Sequence, residues 1–188
     1  YTTNKVKGAP LTVTKAHIAD GKARAIICNS GIANTCNADG VEKAELMCSL
    51  AAEATGLKSA DFVVASTGVI GQPINIEPIK NGLPELVTEL SVNGSSNAAE
   101  AIMTTDTVKK EFAVEFNLGG KICKIGAISK GSGMIHPNMA TMLCFITTDA
   151  NIESKMLKSA LLDVVDDSFN MLSVDGDTST NDTVAILA

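Results

Sequence analysis

At 188 residues, 45% hydrophobic and 19% charged, the chain has the size and apolar content to bury the core of one ordinary domain. A formal net charge of −6 argues against a general nucleic-acid surface, which needs a basic stripe, and leaves room for a local basic pocket around a small anion. No apolar run approaches the roughly 18–20 residues that span a bilayer, and Tyr1-Thr-Thr-Asn-Lys-Val-Lys7 lacks the apolar stretch of a secretory signal, so small molecules or other subunits are the expected partners.

Along the chain, Leu11–Ala16 and Ala23–Cys28 read as strands, the second apolar enough to be buried on both faces. Asn29 to Gly40 is a polar loop that leads to a helix over Val41–Thr55, with Gly56 as its C-cap. Asp61–Ser66 is a short buried strand ending at Ser66-Thr67-Gly68-Val69-Ile70-Gly71. Pro-punctuated helical pieces are expected around Ile76–Lys80 and Glu85–Leu90, and a further helix over Asn97–Thr104. Phe112, Val114, Phe116 and Leu118 alternate before Gly119-Gly120, and Ile122–Ile128 returns, which predicts a hairpin. Gly131–Asn138 then leads into a strand over Thr141–Thr147, a helix over Ile152–Leu172, and an apolar strand pattern at Val184–Ala188. Strands and helices mix without strict alternation, so a layered α+β architecture is expected rather than a doubly wound parallel sheet.

With no Trp and one Tyr, the core must come from Ile, Val, Leu, Ala and Met. Cys28, Cys36, Cys48, Cys123 and Cys144 are odd in number and form no CxxC pair, which points to buried thiols in a reducing, cytoplasmic setting rather than a disulfide or zinc framework. The first residue is not Met, and Val184–Ala188 stops without a turn signal; the chain reads as a piece of a longer protein.

The chemistry concentrates at Ala140-Thr141, where a Gly/Pro/Asn segment meets an apolar run. A threonine hydroxyl is a weak nucleophile until a base stands beside it, and one economical base is its own α-amine, freed by cutting the preceding peptide bond. That amine has an unperturbed pKa of about 7.7–8.0 and can take the hydroxyl proton near neutrality. On residue type alone, the plainer reading is that Thr141 opens a β-strand, where threonine is common.

The surrounding Lys130-Gly-Ser-Gly-Met-Ile-His-Pro-Asn-Met-Ala-Thr-Met-Leu143 resembles the cleavage-site signature of the ornithine acetyltransferase family, bifunctional glutamate N-acetyltransferases of arginine biosynthesis. Tyr1-Thr-Thr-Asn-Lys-Val6, Asn29-Ser-Gly-Ile-Ala-Asn34, Ser66-Thr-Gly-Val-Ile-Gly71, Met103-Thr-Thr-Asp-Thr107 and Ser173-Val-Asp-Gly-Asp-Thr-Ser-Thr-Asn-Asp182 match the same family in the same order.

The resemblance implies a layered α/β sandwich of the N-terminal-nucleophile-like type and a precursor that cuts itself between Ala140 and Thr141. Residues 1–140 would end one chain and 141–188 begin the next, all within one catalytic domain of a longer protein that assembles as a heterotetramer. It implies acetyl transfer from N2-acetylornithine to glutamate through an acetyl-threonine at Thr141, with no bound cofactor and acetyl-CoA as a conceivable second donor. Thr67 and Gly68 would be the oxyanion donors, a hydroxyl and a backbone N–H aimed at the charge that acyl transfer builds. Thr104 and Lys130, with Thr141, would hold substrate, the lysine answering an α-carboxylate.

Three other features carry less. His136 is redundant as a base if the α-amine serves, Gly131-Ser-Gly133 lacks the spacing of a phosphate loop, and Asp175-x-Asp177-x-Ser179 has Thr180 and Ile186 where a calcium loop needs Gly and Glu, so no metal is expected. Two other readings stay open: a self-processed aminopeptidase or amidohydrolase of related fold, with water as acceptor, and a non-catalytic binding domain.

Overall fold

The computed structural model describes residues 1–134 and 142–188; Ala140, Thr141 and His136 lie outside the described residues. The described elements are α1 (Ala9–His17), β1 (Ala25–Ile32), α2 (Gly40–Thr55), β2 (Phe62–Val69), α3 (Glu77–Thr88), α4 (Ser95–Ala101), β3 (Lys110–Leu118), β4 (Lys121–Lys130), β5 (Leu143–Thr148), α5 (Ser154–Val165) and β6 (Thr183–Leu187). β1 and β2 form a parallel pair, and the second sheet runs β3-β4-β5-β6, antiparallel except for the parallel β5–β6 pair.

Burial sorts these elements into layers. Ile27 and Val64 of the parallel pair pack with Val13 of α1 and with Ala44, Met47, Cys48 and Ala51 of α2. The opposite face, Ile26, Cys28 and Ala65, packs on Leu143 and Phe145 of β5. Helices α1 and α2, the two-stranded sheet and the four-stranded sheet therefore stack in that order. This explains the unbroken apolar runs of β1 and β2, which are covered on both sides. Burial pushes the Cys28 and Cys48 thiols up to about 12 and Cys144 up to about 11, so these cysteines behave as small apolar side chains.

The hairpin forms where alternation and Gly-Gly place it. Leu118 pairs with Lys121, and Gly119 and Gly120 take φ of 59° and 83°, the left-handed values a two-residue I′ turn needs. Helix α2 ends, as expected, on a left-handed Gly56 whose N–H reaches the Ala52 carbonyl at 2.9 Å.

Several expectations need correction. Leu11–Ala16 is not a strand but the body of α1, which starts at Ala9-Pro10. Its β-branched residues suggested a strand, yet Pro10, Val13 and Thr14 are buried at helical spacing, and Pro suits a first helical turn. The Thr14 hydroxyl also completes the backbone of β2: it donates to the Val64 carbonyl at 2.7 Å and accepts the Val64 N–H at 2.8 Å. The two pieces expected at Ile76–Lys80 and Glu85–Leu90 are one helix, α3, which carries Pro84 inside it. The helix expected over Asn97–Thr104 is α4, shifted to Ser95–Ala101, which leaves Thr104 in the following link.

The helix expected over Ile152–Leu172 stops at Val165, because Asp166-Asp167 puts two carboxylates at the negative end of the helix dipole and Ser168 is non-helical at φ −137°, ψ −89°. β5 begins at Leu143; the Thr141 end of the strand expected over Thr141–Thr147 lies outside the described residues.

Candidate active site

β1 and β2 end side by side, with Ser30 opposite Thr67 and Gly31 opposite Gly68. Thr67 and Gly68 were expected to leave the strand after Ser66; instead β2 carries them and Val69 as well. Gly68 takes φ +123°, and a Cβ built there would lie 2.1 Å from the Gly31 carbonyl oxygen. Glycine is thus demanded first by the neighbouring strand, which comes close enough to exclude any side chain. The Thr67 side chain is fully buried.

Lys130, the last residue of β4, reaches this strand end from the other sheet. Its ammonium donates to Thr67 Oγ1 at 3.1 Å and to Thr104 Oγ1 at 2.9 Å. Only 3% of Lys130 is exposed, so it is not the solvated surface charge that a lysine before a Gly-rich loop usually is. Burial lowers the Lys130 pKa, and the Asp106 carboxylate opposes that shift. Lys130 therefore joins Thr67 and Thr104 through its own two hydrogen bonds, which brings together three residues chosen from the sequence from β4, β2 and the link after α4.

Asp106 holds this cluster in place. One of its oxygens accepts the Gly131 N–H at 2.7 Å and the Lys110 ammonium at 2.6 Å, and the other accepts the Thr104 N–H at 3.4 Å. Burial pushes its carboxyl upward, but the bonds from Lys110, Gly131 and Thr104 prevail and hold it below the usual carboxylate range.

A second polar knot closes the same site from the far end of the chain. A cavity of about 10 Å³, room for roughly one water, is lined by Thr67, Gly68 and Met134 together with Ser179, Thr180 and Asn181. Asn181 is buried with all of its side-chain hydrogen-bonding capacity engaged. Its Nδ2 donates to the carbonyls of Ala33 at 2.6 Å and Ser66 at 2.8 Å, while Oδ1 accepts from Thr35 at 2.7 Å and Thr180 at 2.6 Å. The N-terminal segment is tied in as well, through Thr2 N–H to the Asp182 carbonyl at 3.1 Å and Gly8 N–H to the Thr180 carbonyl at 2.9 Å.

Asp182 is fully buried, and its Oδ1 accepts the N–H of Met142, the residue after Thr141, at 2.9 Å. Its Oδ2 has no hydrogen-bond partner among the described residues. Burial raises its pKa from 3.8 to about 8, against the Met142 N–H that favours the ionised form. Folding must then take up a proton between those values, so the Asp182 contribution to stability is undiminished below pH 4 and declines as pH rises to about 8. The expected result is that Asp182→Asn gains on the wild type over that window by on the order of a few kcal/mol. Urea unfolding of both proteins at several pH values measures it; a constant difference would show that Asp182 does not titrate there.

Asp106, Asn181 and Asp182 were not singled out from the sequence, although all three fall within the segments Met103–Thr107 and Ser173–Asp182 that carried the resemblance. Ala140 and Thr141 lie outside the described residues. Among the described residues, no group of three or more His, Cys, Asp or Glu is placed to hold a metal ion, and no helix is long and apolar enough to cross a membrane.

The family model described as the ArgJ family matches residues 1–188. The arginine biosynthesis bifunctional protein ArgJ of Symbiobacterium thermophilum is 50% identical over 189 residues, an alignment covering 100% of this chain and 47% of that protein. ArgJ 1 of Clostridium acetobutylicum is 51% identical over 189 residues, covering 100% of this chain and 46% of the relative. The chain thus spans about half the length of the curated relatives it matches.

Among solved structures, the arginine biosynthesis bifunctional protein ArgJ of Bacillus halodurans superposes with a TM-score of 0.67 at 40% identity, covering 76% of this chain and 74% of that one. The ornithine acetyltransferase of Mycobacterium tuberculosis, solved in complex with ornithine, superposes with a TM-score of 0.62 at 28% identity, covering 76% of this chain and 75% of that one. The layered α+β architecture is shared with both.

Proposed function

The chain belongs to the ArgJ family, and from that membership we propose that residues 1–188 form part of the catalytic domain of a self-processing glutamate N-acetyltransferase. Residues 1–140 end one chain of the processed enzyme and residues 141–188 begin the other. The observation that carries this reading is the Lys130 ammonium joined to the hydroxyls of Thr67 and Thr104 beside Gly68. It is a buried cation with two hydroxyls, suited to an acyl oxyanion and an amino-acid carboxylate.

In self-cleavage, the Thr141 hydroxyl adds to the Ala140 carbonyl carbon. The C–N bond breaks, the nitrogen takes the hydroxyl proton, and an ester remains. Water hydrolyses the ester, leaving the Ala140 carboxylate and a free Thr141 amine and hydroxyl. In turnover, the Thr141 amine takes the hydroxyl proton while Oγ attacks the acetyl carbonyl of N2-acetylornithine. Collapse of the adduct passes that proton to the departing nitrogen, and ornithine leaves. The glutamate amine then attacks the acetyl-threonine, releasing N-acetylglutamate and restoring the hydroxyl. Thr67 Oγ–H and Gly68 N–H serve the negative oxygen in each addition, while Lys130 and Thr104 bind the substrate carboxylate.

The setting is the cytoplasm, and the processed chains assemble as a heterotetramer. Cleavage need not separate the halves within this domain. β5 is bonded to β4 on one side and β6 on the other, and the N-terminal segment is tied to Thr180 and Asp182.

The test offers the full-length enzyme N2-acetylornithine with glutamate, N2-acetylornithine alone, and acetyl-CoA with glutamate. N-acetylglutamate from the first mixture supports the proposal. Acetate as the main product of both the first and the second makes water the acceptor and favours the hydrolase reading. Product from the third mixture adds acetyl-CoA as a donor.

A further inference from the structure

The Lys130 ammonium touches two hydroxyls but no carboxylate at hydrogen-bond distance among the described residues, and that has a chemical consequence. An ammonium only donates, whereas a threonine hydroxyl carries one hydrogen and two lone pairs. Where Lys130 donates to Thr67 Oγ1, it occupies a lone pair, and the Thr67 hydrogen must point elsewhere. Among the described residues, the Thr67 hydroxyl has no hydrogen-bond acceptor, although Thr67 is fully buried and lines the small cavity with Gly68.

We propose that Lys130 is a positioning residue for Thr67: its N–H fixes the Thr67 hydroxyl with the hydrogen turned away from the ammonium and polarises that O–H as a donor to the oxyanion. This role is additional to holding substrate and rests on the self-processing reading above. Donation from a cation withdraws density from the oxygen, which strengthens the hydrogen bond the hydroxyl can give. Asp106 makes the arrangement rigid, because one carboxylate ties down the Gly131 N–H next to Lys130 and the Thr104 N–H beside the lysine's other partner.

Self-cleavage separates this role from substrate binding, since it uses the oxyanion donors with no substrate present. The experiment follows loss of full-length precursor by intact mass for Lys130→Met, Lys130→Gln, Thr67→Val, and each Lys130 variant combined with Thr67→Val. Lys130→Met is expected to slow cleavage about tenfold or more, Thr67→Val about a hundredfold or more, and each double variant no more than Thr67→Val alone. Lys130→Gln, which keeps N–H donors without the charge, is expected to fall between wild type and Lys130→Met.

Wild-type cleavage by Lys130→Met with only a raised KM for N2-acetylornithine would overturn the proposal, as would double variants whose effects multiply. If Lys130→Met does not fold, the glutamine series carries the same comparison. A wild-type precursor that never cleaves contradicts the self-processing reading instead. The same variants are then compared by kcat for acetyl transfer, where the absence of coupling between Lys130 and Thr67 overturns this proposal separately.

Discussion

Thr141→Ala is expected to yield a single uncut polypeptide with no acetyl transfer. Alanine removes the only atom of that side chain able to attack the Ala140 carbonyl, and with no cut there is no α-amine at position 141 to serve as base. One substitution therefore removes nucleophile and base together, and neither the cleavage nor the transfer step keeps its attacking group. Thr141→Ser keeps a hydroxyl in the same covalent relation to the amine, so it is expected to cleave and turn over at a reduced rate. The neighbouring structure should survive both changes. Met142 remains bonded through its N–H to Asp182, and β5 is paired on both sides. A denaturing gel with intact-mass analysis reads the outcome; normal cleavage in Thr141→Ala would refute the assignment.

Gly68→Ala is expected to damage fold and chemistry at once. The added Cβ would meet the Gly31 carbonyl oxygen at 2.1 Å and its carbon at 2.2 Å. Both atoms are backbone in a paired strand and cannot swing aside as a flexible side chain could. The residue would also sit at φ +123°, where a non-glycine residue is strained by roughly 1–3 kcal/mol before any clash is counted. β2 must then draw away from β1 at its end, and Thr67 moves with it, away from Lys130. A stability loss of roughly 2–4 kcal/mol is expected, with cleavage slowed by about 10²–10³-fold if the Gly68 N–H serves as an oxyanion donor. Thermal unfolding and the cleavage rate check the two halves; wild-type values for both would show that the strand end tolerates a side chain.

Local chemistry made some of this molecule legible in its sequence. The β3–β4 hairpin follows from alternation and a Gly-Gly turn, and α2 from its apolar face and Gly56, because each signal is complete within a few residues. Thr67, Thr104 and Lys130 were assigned to one site through motifs, and the structure brings them to hydrogen-bond distance. What stayed hidden depends on partners far along the chain. Thr14 looks like a strand residue until Val64 arrives to use its hydroxyl. Asn181 is an ordinary polar residue until Ala33 and Ser66 present carbonyls to it, and Asp106 gains its role from Gly131. The need for glycine at position 68 was hidden in the same way, because the backbone that comes close to it belongs to Gly31, on the neighbouring strand.

In the proposed function, Thr141 leads a second chain and carries the acetyl group. The most direct measurement mixes the full-length processed enzyme with N2-acetylornithine, omits glutamate, quenches in acid, and sequences the fragments by mass spectrometry. The prediction is a chain beginning at Thr141, heavier by one acetyl group on that threonine, which loses the group when glutamate is added before the quench. An intact Ala140–Thr141 bond in active enzyme, or an acetyl group found on another residue, would contradict it.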